Sequence, residues 1–356
     1  MPVFMKKYLF FVSLSYSYTI LRPLQNEIWR RGDDVAWYIE DSAPVCLHDN
    51  EKQLKTIKEV MEYNPIAVFV PGVRVYDFFP GLKVEVFHGL YYKRGDYGDH
   101  YKIRGFFDIY CTTSPMFTPR FKELEQKYGF FKVYETGWSK FDGWLPSPEG
   151  ETSNTKPTIV FAPTFTKNME SASVLHDKIE ELLKKKDWIW LFSFHPKMDK
   201  ETVDRYKILA QQYDNAVFCE TEDKADLFRQ SDVMLSDTSS VIYEYLWFNK
   251  PAVTYKNTFP ANHLINIDTS DLLEKALEKA LKRPADLMEN IRLFMEEVHP
   301  FRDGKSSARI LDSVDDFIAN YKGKIKKKPL NLYRKYKLRK KAGYFPFGPC
   351  YKKLSE

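Results

Sequence analysis

The sequence predicts an α/β protein of two consecutive doubly wound domains, each with a parallel sheet covered by helices on both faces. Short apolar strands alternate with amphipathic helices in the first half of the chain and again in the second half, a pattern typical of parallel sheets. The stretch 147–157 between these halves is polar, contains Pro and Gly, and has no periodicity, which indicates a linker. We therefore expect domains at 1–146 and 158–321.

The first domain alternates strands and helices from its first residues. The predicted strands are KYLFFVSLS, DVAWYIED, PIAVFVPG, LKVEVFHG, FDIYCTTS and KVYETG. The predicted helices are TILRPLQNEIWRRG, EKQLKTIKEVMEYN and PRFKELEQKYG. The strand segments are mainly apolar and the helical segments are amphipathic, as expected for a buried parallel sheet with helices packed against it.

The second domain repeats the alternation after the linker. Its predicted strands are TIVFAPTF, WIWLFSFHP, NAVFCE, VMLSD and KPAVTY, and we expect KPAVTY to complete the sheet. Its predicted helices are ASVLHDKIEELLKKK, ETVDRYKILAQQY, KADLFRQS, SSVIYEYLWF, SDLLEKALEKALKR and DLMENIRLFMEEV. Two such domains form a cleft where the carboxyl ends of their strands face each other, and ligands bind at such strand ends.

The composition favours a soluble protein of a reducing cytosol. The four cysteines are widely spaced and form no CxxC pair, which argues against a zinc cluster or a disulfide scaffold. The N-terminal apolar run YLFFVSL is too short for a signal peptide and is better explained as a buried strand. No stretch reaches the roughly 20 apolar residues of a spanning helix.

The C-terminal tail, 322–356, is strongly basic. It has thirteen Lys or Arg residues and one acid, so it carries +12, and the remainder of the chain therefore carries −7 of the total +5. Leucine, tyrosine and phenylalanine lie among the bases, which favours an anionic membrane surface on the inner face of the cell membrane. A solvated, disordered tail is the alternative. We expect no nucleic-acid partner, because the acidic body lacks a basic recognition module.

Five polar clusters follow directly after predicted strands. They are His88-Gly89, Gly137, Ala162-Pro163-Thr164, His195-Pro196 and Ser236 to Ser240. A single histidine is more often a packing or surface residue than a catalyst, but five clusters in the same topological position indicate a site. We expect all of them to line one cleft between the two domains.

The hydroxyl cluster Ser236 to Ser240 has two interpretations. It is either an ordinary helix cap or a phosphate site in which amide groups, hydroxyl groups and the helix dipole hold an anion. The second interpretation suits a nucleotide diphosphate donor, with Glu244 one helical turn further on to accept hydrogen bonds from ribose hydroxyls. His195 would then donate to phosphate oxygens, and His88 would accept a proton from an incoming hydroxyl.

Several enzyme classes lack their signatures in this chain. Neither GxGxxG nor GxxxxGK[ST] occurs, so a dinucleotide dehydrogenase and a P-loop kinase are not supported. GxSxG is also missing, which leaves a serine hydrolase without its nucleophile elbow. We expect no metal site and no cofactor.

The motifs HG, APT, HP, SDTSSVIYEYLWFNKPAV and RDGKSSARI together resemble the CDP-glycerol glycerophosphotransferase family of wall teichoic acid enzymes. The resemblance covers roughly 84–315 and is most specific in the SDTSS segment. It implies a GT-B fold with two Rossmann-like domains facing across a cleft, a CDP-activated polyol phosphate donor, attack by an acceptor hydroxyl, and no obligatory cofactor.

The resemblance also implies roles for individual residues. His88 corresponds to the general base, and His195 would assist the leaving group. The donor pyrophosphate would contact Pro163, Thr164, His195, Pro196, Ser239 and Ser240, with Glu244 in the family's acidic position. The remaining predicted substrate-binding residues are Gly89, Lys140, Ser236, Thr238, Lys305 and Arg309.

Two departures from the family pattern concern the donor. The family often has Gly-x-Pro-Arg-x-Asp, whereas here Gly137 begins GWSKFD, so that Lys140 replaces the arginine while Asp142 is retained. A point charge thereby replaces a bidentate fork. Tyr91 is unusual after the HG motif. In RDGKSSARI, Lys305 and Arg309 either add positive charge to the cleft or belong to an ordinary capped helix.

The leading hypothesis is transfer of glycerol phosphate, or a related polyol phosphate, from a CDP donor to a hydroxyl of a lipid-linked or cell-surface glycan. The first alternative is a GT-B glycosyltransferase that uses a nucleotide sugar. The second is a non-catalytic glycan- or lipid-binding protein of the same fold. Loss of activity on replacing His88 separates the enzymes from the binding protein.

Overall fold

The computed structural model describes residues 5–90, 101–145, 154–167, 169–221 and 223–345. The chain forms two compact units, the first made of 1–143 and 301–356 and the second of 144–300. This division differs from the predicted one, because the segment 301–321 lies with the first unit and not with the second. Most of the predicted linker, and Tyr91, fall outside the described residues.

The first unit contains a six-stranded parallel sheet in its described part. Its strands are β1 (Lys7–Val12), β2 (Asp34–Ile39), β3 (Ala67–Val70), β4 (Leu82–Glu85), β5 (Ile109–Thr112) and β6 (Lys132–Glu135). They lie in the order β2-β1-β3-β4-β5-β6, all paired in parallel. The six predicted strands are therefore confirmed. The helices between them are α1 (Ser17–Arg30), α2 (Ile57–Tyr63) and α3 (Thr118–Tyr128).

Helix α2 is shorter than predicted, and the prediction for its N-terminal half was wrong. The helix begins after Thr56, whose hydroxyl accepts the Glu59 amide at 3.1 Å while the Glu59 carboxylate accepts the Thr56 amide. This capping box ends the extended segment before it. In that segment, the Trp37 amide and carbonyl pair with Lys52 and Leu54, so it continues the sheet edge instead of the helix.

The second unit contains another six-stranded parallel sheet. Its strands are β7 (Thr158–Phe161), β8 (Ile189–Phe192), β9 (Ala216–Phe218), β10 (Val233–Ser236), β11 (Ala252–Tyr255) and β12 (Ile265–Ile267). The order is β12-β11-β10-β7-β8-β9, again all parallel. The sequence INI at β12 was not predicted as a strand, and it extends the sheet beyond KPAVTY.

Six helices accompany this sheet in the described residues. They are α4 (Ala172–Lys185), α5 (Lys200–Gln212), α6 (Ala225–Gln230), α7 (Val241–Leu246), α8 (Leu273–Leu281) and α9 (Ala285–Val298). The core between helices and sheet is apolar and includes the fully buried Trp190, Phe192 and Tyr206. Burial of such side chains contributes roughly 1.5–3 kcal/mol each.

The chain returns to the first unit after 300. Helix α10 (Ser306–Asp316) lies against α1. Its Asp312 binds the Arg31 guanidinium at the end of α1 at 2.8 Å, and its Asp315 binds the Lys6 ammonium, just before β1, at 2.7 Å. The Ser313 hydroxyl also lies 3.5 Å from the buried Cys111 thiol on β5. These contacts explain why α10 belongs to the first unit.

The described part of the basic tail is packed on the first unit. Its helix α11 (Leu332–Lys341) is held by ion pairs from Arg339 to Asp77 and from Lys341 to Glu40, at 2.8 and 2.9 Å. The Tyr344 ring, just after the helix, stacks on Phe78. Among the described helices, none has the length and apolarity needed to cross a membrane.

Candidate functional site

Asp237 is the structural centre of the polar loops in the second unit. It follows β10, it is fully buried, and its carboxylate accepts four donors. These are the amides of Thr164, Ser171 and Thr238, at 2.9, 3.0 and 2.7 Å, and the Ser171 hydroxyl, at 2.9 Å. Burial raises the pKa of Asp237, and the bonds from Thr164, Ser171 and Thr238 oppose that shift. One carboxylate thus joins the loops after β7 and β10.

The hydroxyl groups next to Asp237 serve the same framework. The buried Ser236 hydroxyl donates to the Ala162 carbonyl at 2.6 Å, so it joins the same two loops. The Thr238 hydroxyl accepts the Thr258 amide at 3.1 Å, and the Asn257 side chain donates to the Asp237 carbonyl. Of the two, Ser236 is enclosed, while Thr238 is half-buried.

Ser239 and Ser240 lie at the entrance to α7 and reach solvent. Ser240 is exposed and makes no side-chain capping bond, and the Ser239 hydroxyl accepts only a long bond of 3.4 Å from the Val241 amide. Glu244 lies within α7 and is half-buried. The hydroxyl cluster is therefore divided, with Ser236 used internally and Ser239 and Ser240 accessible to a ligand.

His195 follows β8, and its ring stacks on Phe165 at 4.2 Å between centroids. The Lys197 amide donates to its Nδ1 atom at 3.0 Å, so the neutral ring carries its proton on Nε2. Desolvation lowers the pKa of His195 to about 4, assisted by the charges of Lys224 and Lys197. His195 is thus a neutral hydrogen-bond donor at pH 7.

His88 follows β4 in the first unit and borders a cavity of about 260 Å³. Its Nδ1 atom lies 3.2 Å from the Pro71 carbonyl, an acceptor, and its ring stacks on Tyr16. Because Nδ1 must carry the proton to make this bond, the neutral ring has its lone pair on Nε2. That is the protonation state a general base needs.

The backbone just before His88 is in a strained conformation. Phe87 has φ +54°, a left-handed geometry that costs a bulky residue about 1–2 kcal/mol. The strain is held by aromatic packing, since the Phe87 ring makes edge contacts with Phe117 and Phe121 at 5.0 and 5.3 Å. Strain of this kind occurs where packing fixes a functional side chain.

The side chains of Asp142 and Lys140, in the first unit, mainly contact other residues of that unit. Asp142 accepts the amides of Ser306 and Ser307, at 3.0 and 2.6 Å, and therefore caps α10. Burial raises the pKa of Asp142, and those amides oppose the shift. Lys140 is buried, with its ammonium 5.1 Å from the Trp138 ring.

The Arg309 side chain also has its contacts within the first unit. Its guanidinium pairs with Asp303 at 2.8 Å, donates to the Thr136 carbonyl at 2.9 Å, and lies 4.4 Å from the Phe301 ring. Lys305 is exposed at the start of α10. The RDGKSS segment thus has the contacts of an ordinary capped helix, and its two bases, Arg302 and Lys305, are exposed.

The structure brings the predicted residues together in two sets. Pro163, Thr164, His195, Pro196, Ser236, Thr238, Ser239, Ser240 and Glu244 lie in the second unit, and His88, Gly89, Lys140, Lys305 and Arg309 lie in the first. In the first unit, Lys305 and Arg309 belong to α10, whereas Gly89 follows β4 and its carbonyl accepts the Thr113 hydroxyl after the neighbouring strand β5. The single cleft joining both sets remains a prediction.

Four contributors were not predicted. They are Asp237 as the acceptor that joins two loops, Phe165 stacked on His195, and Tyr16 and Arg74 beside His88. Asp237 offered one signal, because an acid directly after a buried strand must find donors. In the described residues, no cluster of three or more His, Cys, Asp or Glu side chains is arranged to hold a metal ion.

Comparison with solved structures defines the class of fold. A structure of the wall teichoic acid polymerase TagF soaked with CDPG matches with a TM-score of 0.60 and 15% identity, over 87% of this chain and 88% of that chain. The Staphylococcus aureus MnaA–UDP structure matches with a TM-score of 0.61 and 16% identity, over 91% of this chain and 99% of that one. The chain therefore has a GT-B fold, as predicted.

Comparison of sequences supports the resemblance to the teichoic acid enzymes. Residues 145–316 match the model of the CDP-Glycerol:Poly(glycerophosphate) glycerophosphotransferase family. The teichoic acid poly(ribitol-phosphate) polymerase of Bacillus spizizenii is 27% identical over 175 residues, covering 45% of this chain and 28% of that protein. TarL of Staphylococcus aureus is 28% identical over 180 residues, covering 44% and 30%. The resemblance to this family is confirmed, although the chain spans only about a third of these relatives.

Proposed function

We propose that the protein transfers glycerol phosphate, or a related polyol phosphate, from a CDP-activated donor to a hydroxyl group of a lipid-linked or cell-surface glycan. The observation that carries the proposal is the family match over 145–316, which includes the loops organised by Asp237 in the second unit. The solved TagF structure with CDPG has the same fold and supports a donor of this class.

The donor diphosphate lies on the accessible groups of the second unit. At the start of α7, Ser240 is exposed and Ser239 is half-buried, and Asp237 holds the adjacent Thr238 amide in place. His195 contributes its Nε2–H to a phosphate oxygen, and Glu244 accepts from the ribose. Because His195 is neutral, it donates a hydrogen bond to the departing phosphate instead of a full charge.

The reaction is a substitution at the phosphorus that carries the polyol. His88 Nε2 removes the proton of the acceptor hydroxyl, and the acceptor oxygen forms a bond to that phosphorus. The bond between this phosphorus and the bridging oxygen breaks, and CMP leaves with the electron pair. The products are a phosphodiester and CMP, and no metal or redox partner enters the balance.

Calorimetric titration with CDP-glycerol, CDP-ribitol, UDP-GlcNAc and CMP tests the donor class. We expect a CDP-polyol to bind selectively and the Ser239→Ala/Ser240→Ala double variant to lose that binding. Preference for the UDP-sugar would instead support the nucleotide-sugar glycosyltransferase. His88→Ala should keep donor binding but lower turnover by about 10²–10⁴-fold, the contribution of a general base.

The proposal also places the protein in the cytoplasm, on the inner face of an anionic membrane. The segment 322–345 has eleven Lys or Arg residues and no acid, and Leu332, Tyr333 and Tyr336 on α11 are between 54% and 70% exposed. Bases with exposed leucine and tyrosine suit the lipid interface. Co-sedimentation with phosphatidylglycerol vesicles, but not with phosphatidylcholine vesicles, is the expected result.

A further inference from the structure

The cavity beside His88 is lined by several residues to which the proposed reaction gives no role. It lies wholly within the first unit, and its wall includes Tyr16, Arg74 and Tyr76 together with His88. Leu338 and Lys341 of helix α11 form part of the same wall. The C-terminal segment therefore helps to build the space next to the candidate general base.

Arg74 is the residue in this wall that points to an anionic ligand. It is exposed, and it makes no hydrogen bond, ion pair or ring contact with the described residues. Lys341 differs, because its ammonium is bound by Glu40, which also accepts the Tyr76 hydroxyl at 2.8 Å. A guanidinium left without a carboxylate presents a forked set of donors suited to phosphate or carboxylate oxygens.

The rest of the lining suits a small polyhydroxy compound. Tyr16 and Tyr76 contribute aromatic surface, and Leu14, Val75 and Leu338 contribute aliphatic surface against which C–H groups can pack. His88 Nε2 offers an acceptor for a hydroxyl group. Few polar groups on a largely apolar wall are typical of a ligand site.

Helix α11 is held firmly enough to act as a wall. The Arg339–Asp77 ion pair, the Lys341–Glu40 ion pair and the stacking of Tyr344 on Phe78, at 4.2 Å between centroids, all fix it to the first unit. Asp77 and Glu40 have side chains that are only 13% and 10% exposed, so these pairs are less screened than surface pairs.

We infer that this cavity binds the terminal unit of the acceptor, a polyol or sugar that carries an anionic group, with Arg74 holding the anion. Helix α11 supplies one wall of that site. That this ligand is the acceptor rests on the proposed function, but its binding requires no donor and no turnover.

The test uses sn-glycerol 3-phosphate and glycerol as probes on the full chain without any nucleotide. Binding is followed by NMR of the His88 imidazole, so that a probe in another phosphate site does not count. We expect glycerol phosphate to bind at least tenfold more tightly than glycerol, and Arg74→Gln to remove that advantage, since a charge-assisted hydrogen bond contributes about a tenfold effect or more. Arg334→Gln, on the exposed side of α11, should leave both affinities unchanged.

Leu338→Trp tests the contribution of α11. The larger side chain fills the cavity, so we expect glycerol phosphate to lose its effect on His88 while the thermal midpoint of the protein stays near that of the wild type. Equal affinity for glycerol and glycerol phosphate, or unchanged binding in Arg74→Gln or Leu338→Trp, overturns the inference.

Parallel calorimetry with CDP-glycerol separates this inference from the proposed function. Arg74→Gln should bind CDP-glycerol like the wild type, because Arg74 lies in the first unit and the donor loops lie in the second. Failure of every form to bind CDP-glycerol would count against the donor proposal, while the glycerol phosphate result would still decide the cavity.

Discussion

Replacing Asp237 by asparagine is the perturbation whose effect the structure determines most fully. The carboxylate accepts the Thr238 amide on Oδ1, the Ser171 amide and hydroxyl on Oδ2, and the Thr164 amide on both oxygens. Asparagine keeps one acceptor oxygen and replaces the other by an NH₂ group. Whichever way the amide lies, at least one buried backbone N–H therefore faces a donor.

The magnitude follows from that count. An unsatisfied buried donor costs about 1–3 kcal/mol, and removing the charge weakens the remaining bonds. Loss of the carboxylate's own desolvation penalty offsets part of this, because burial already raises the pKa of Asp237. We expect Asp237→Asn to lower the free energy of unfolding by about 2 kcal/mol. Asp237→Ala removes the acceptor for three amides and should cost about 4 kcal/mol.

The assay is urea denaturation followed by tryptophan fluorescence, which reports on the buried Trp190 and Trp247 of the second unit. Asp226→Asn is the matched control, because that carboxylate is 83% exposed and pairs with Arg229 on the same helix. This change should alter stability by less than about 0.5 kcal/mol. An Asp237→Asn protein within that margin of the wild type, with undiminished donor affinity, would refute the role assigned to Asp237.

The remaining predictions concern titrating groups and the tail. His195 should stay neutral, with the proton on Nε2, down to about pH 4 in a ¹⁵N titration, and a midpoint near 6.5 would contradict this prediction. Because His195 protonates near pH 6.5 in the unfolded chain, it makes the free energy of unfolding fall as the pH drops from 6.5 to about 4, and His195→Asn should abolish this contribution. Burial raises the pKa of Glu85 well above 4.5, so the free energy of unfolding falls as the pH rises above 4.5. Glu85→Gln should be more stable than the wild type at pH 8 and equally stable below pH 4.5, whereas Glu62→Gln, at an exposed position, should match the wild type at both pH values. Tyr333→Ser/Tyr336→Ser should weaken sedimentation with phosphatidylglycerol vesicles several-fold without changing the thermal midpoint, and unaltered sedimentation would exclude this face of α11 from the lipid contact.

The strands could be predicted from the sequence because buried strands consist of short runs of mainly apolar residues. Segments such as TIVF and IWLF are mainly apolar, and all but the last of the twelve strands were located in this way. Strand β12 has only three residues with Asn266 in the middle, so it carries too little pattern to recognise. Helix α11 was not predicted, because eight of its ten residues are Lys, Arg or Tyr and the segment was interpreted as a basic tail.

The candidate site was only partly predictable, for a different reason. The positions of His88, His195 and the serine cluster follow from strand ends, which the sequence reveals. The bonds from Thr164 and Ser171 to Asp237 span 73 and 66 residues, and the approach of Leu338 to the His88 cavity spans far more of the chain. Contacts of that range depend on tertiary packing and leave no periodic signal.

The measurement that tests the central claim most directly is ³¹P NMR of the purified protein with CDP-glycerol or CDP-ribitol and a membrane-extracted glycan acceptor. The account predicts that CMP and a new phosphodiester resonance appear together, in equal amounts, and that His88→Ala forms neither at a comparable rate. Consumption of UDP-GlcNAc with release of UDP, or an intact CDP-polyol beside a fully folded protein, would contradict the claim that this chain transfers polyol phosphate.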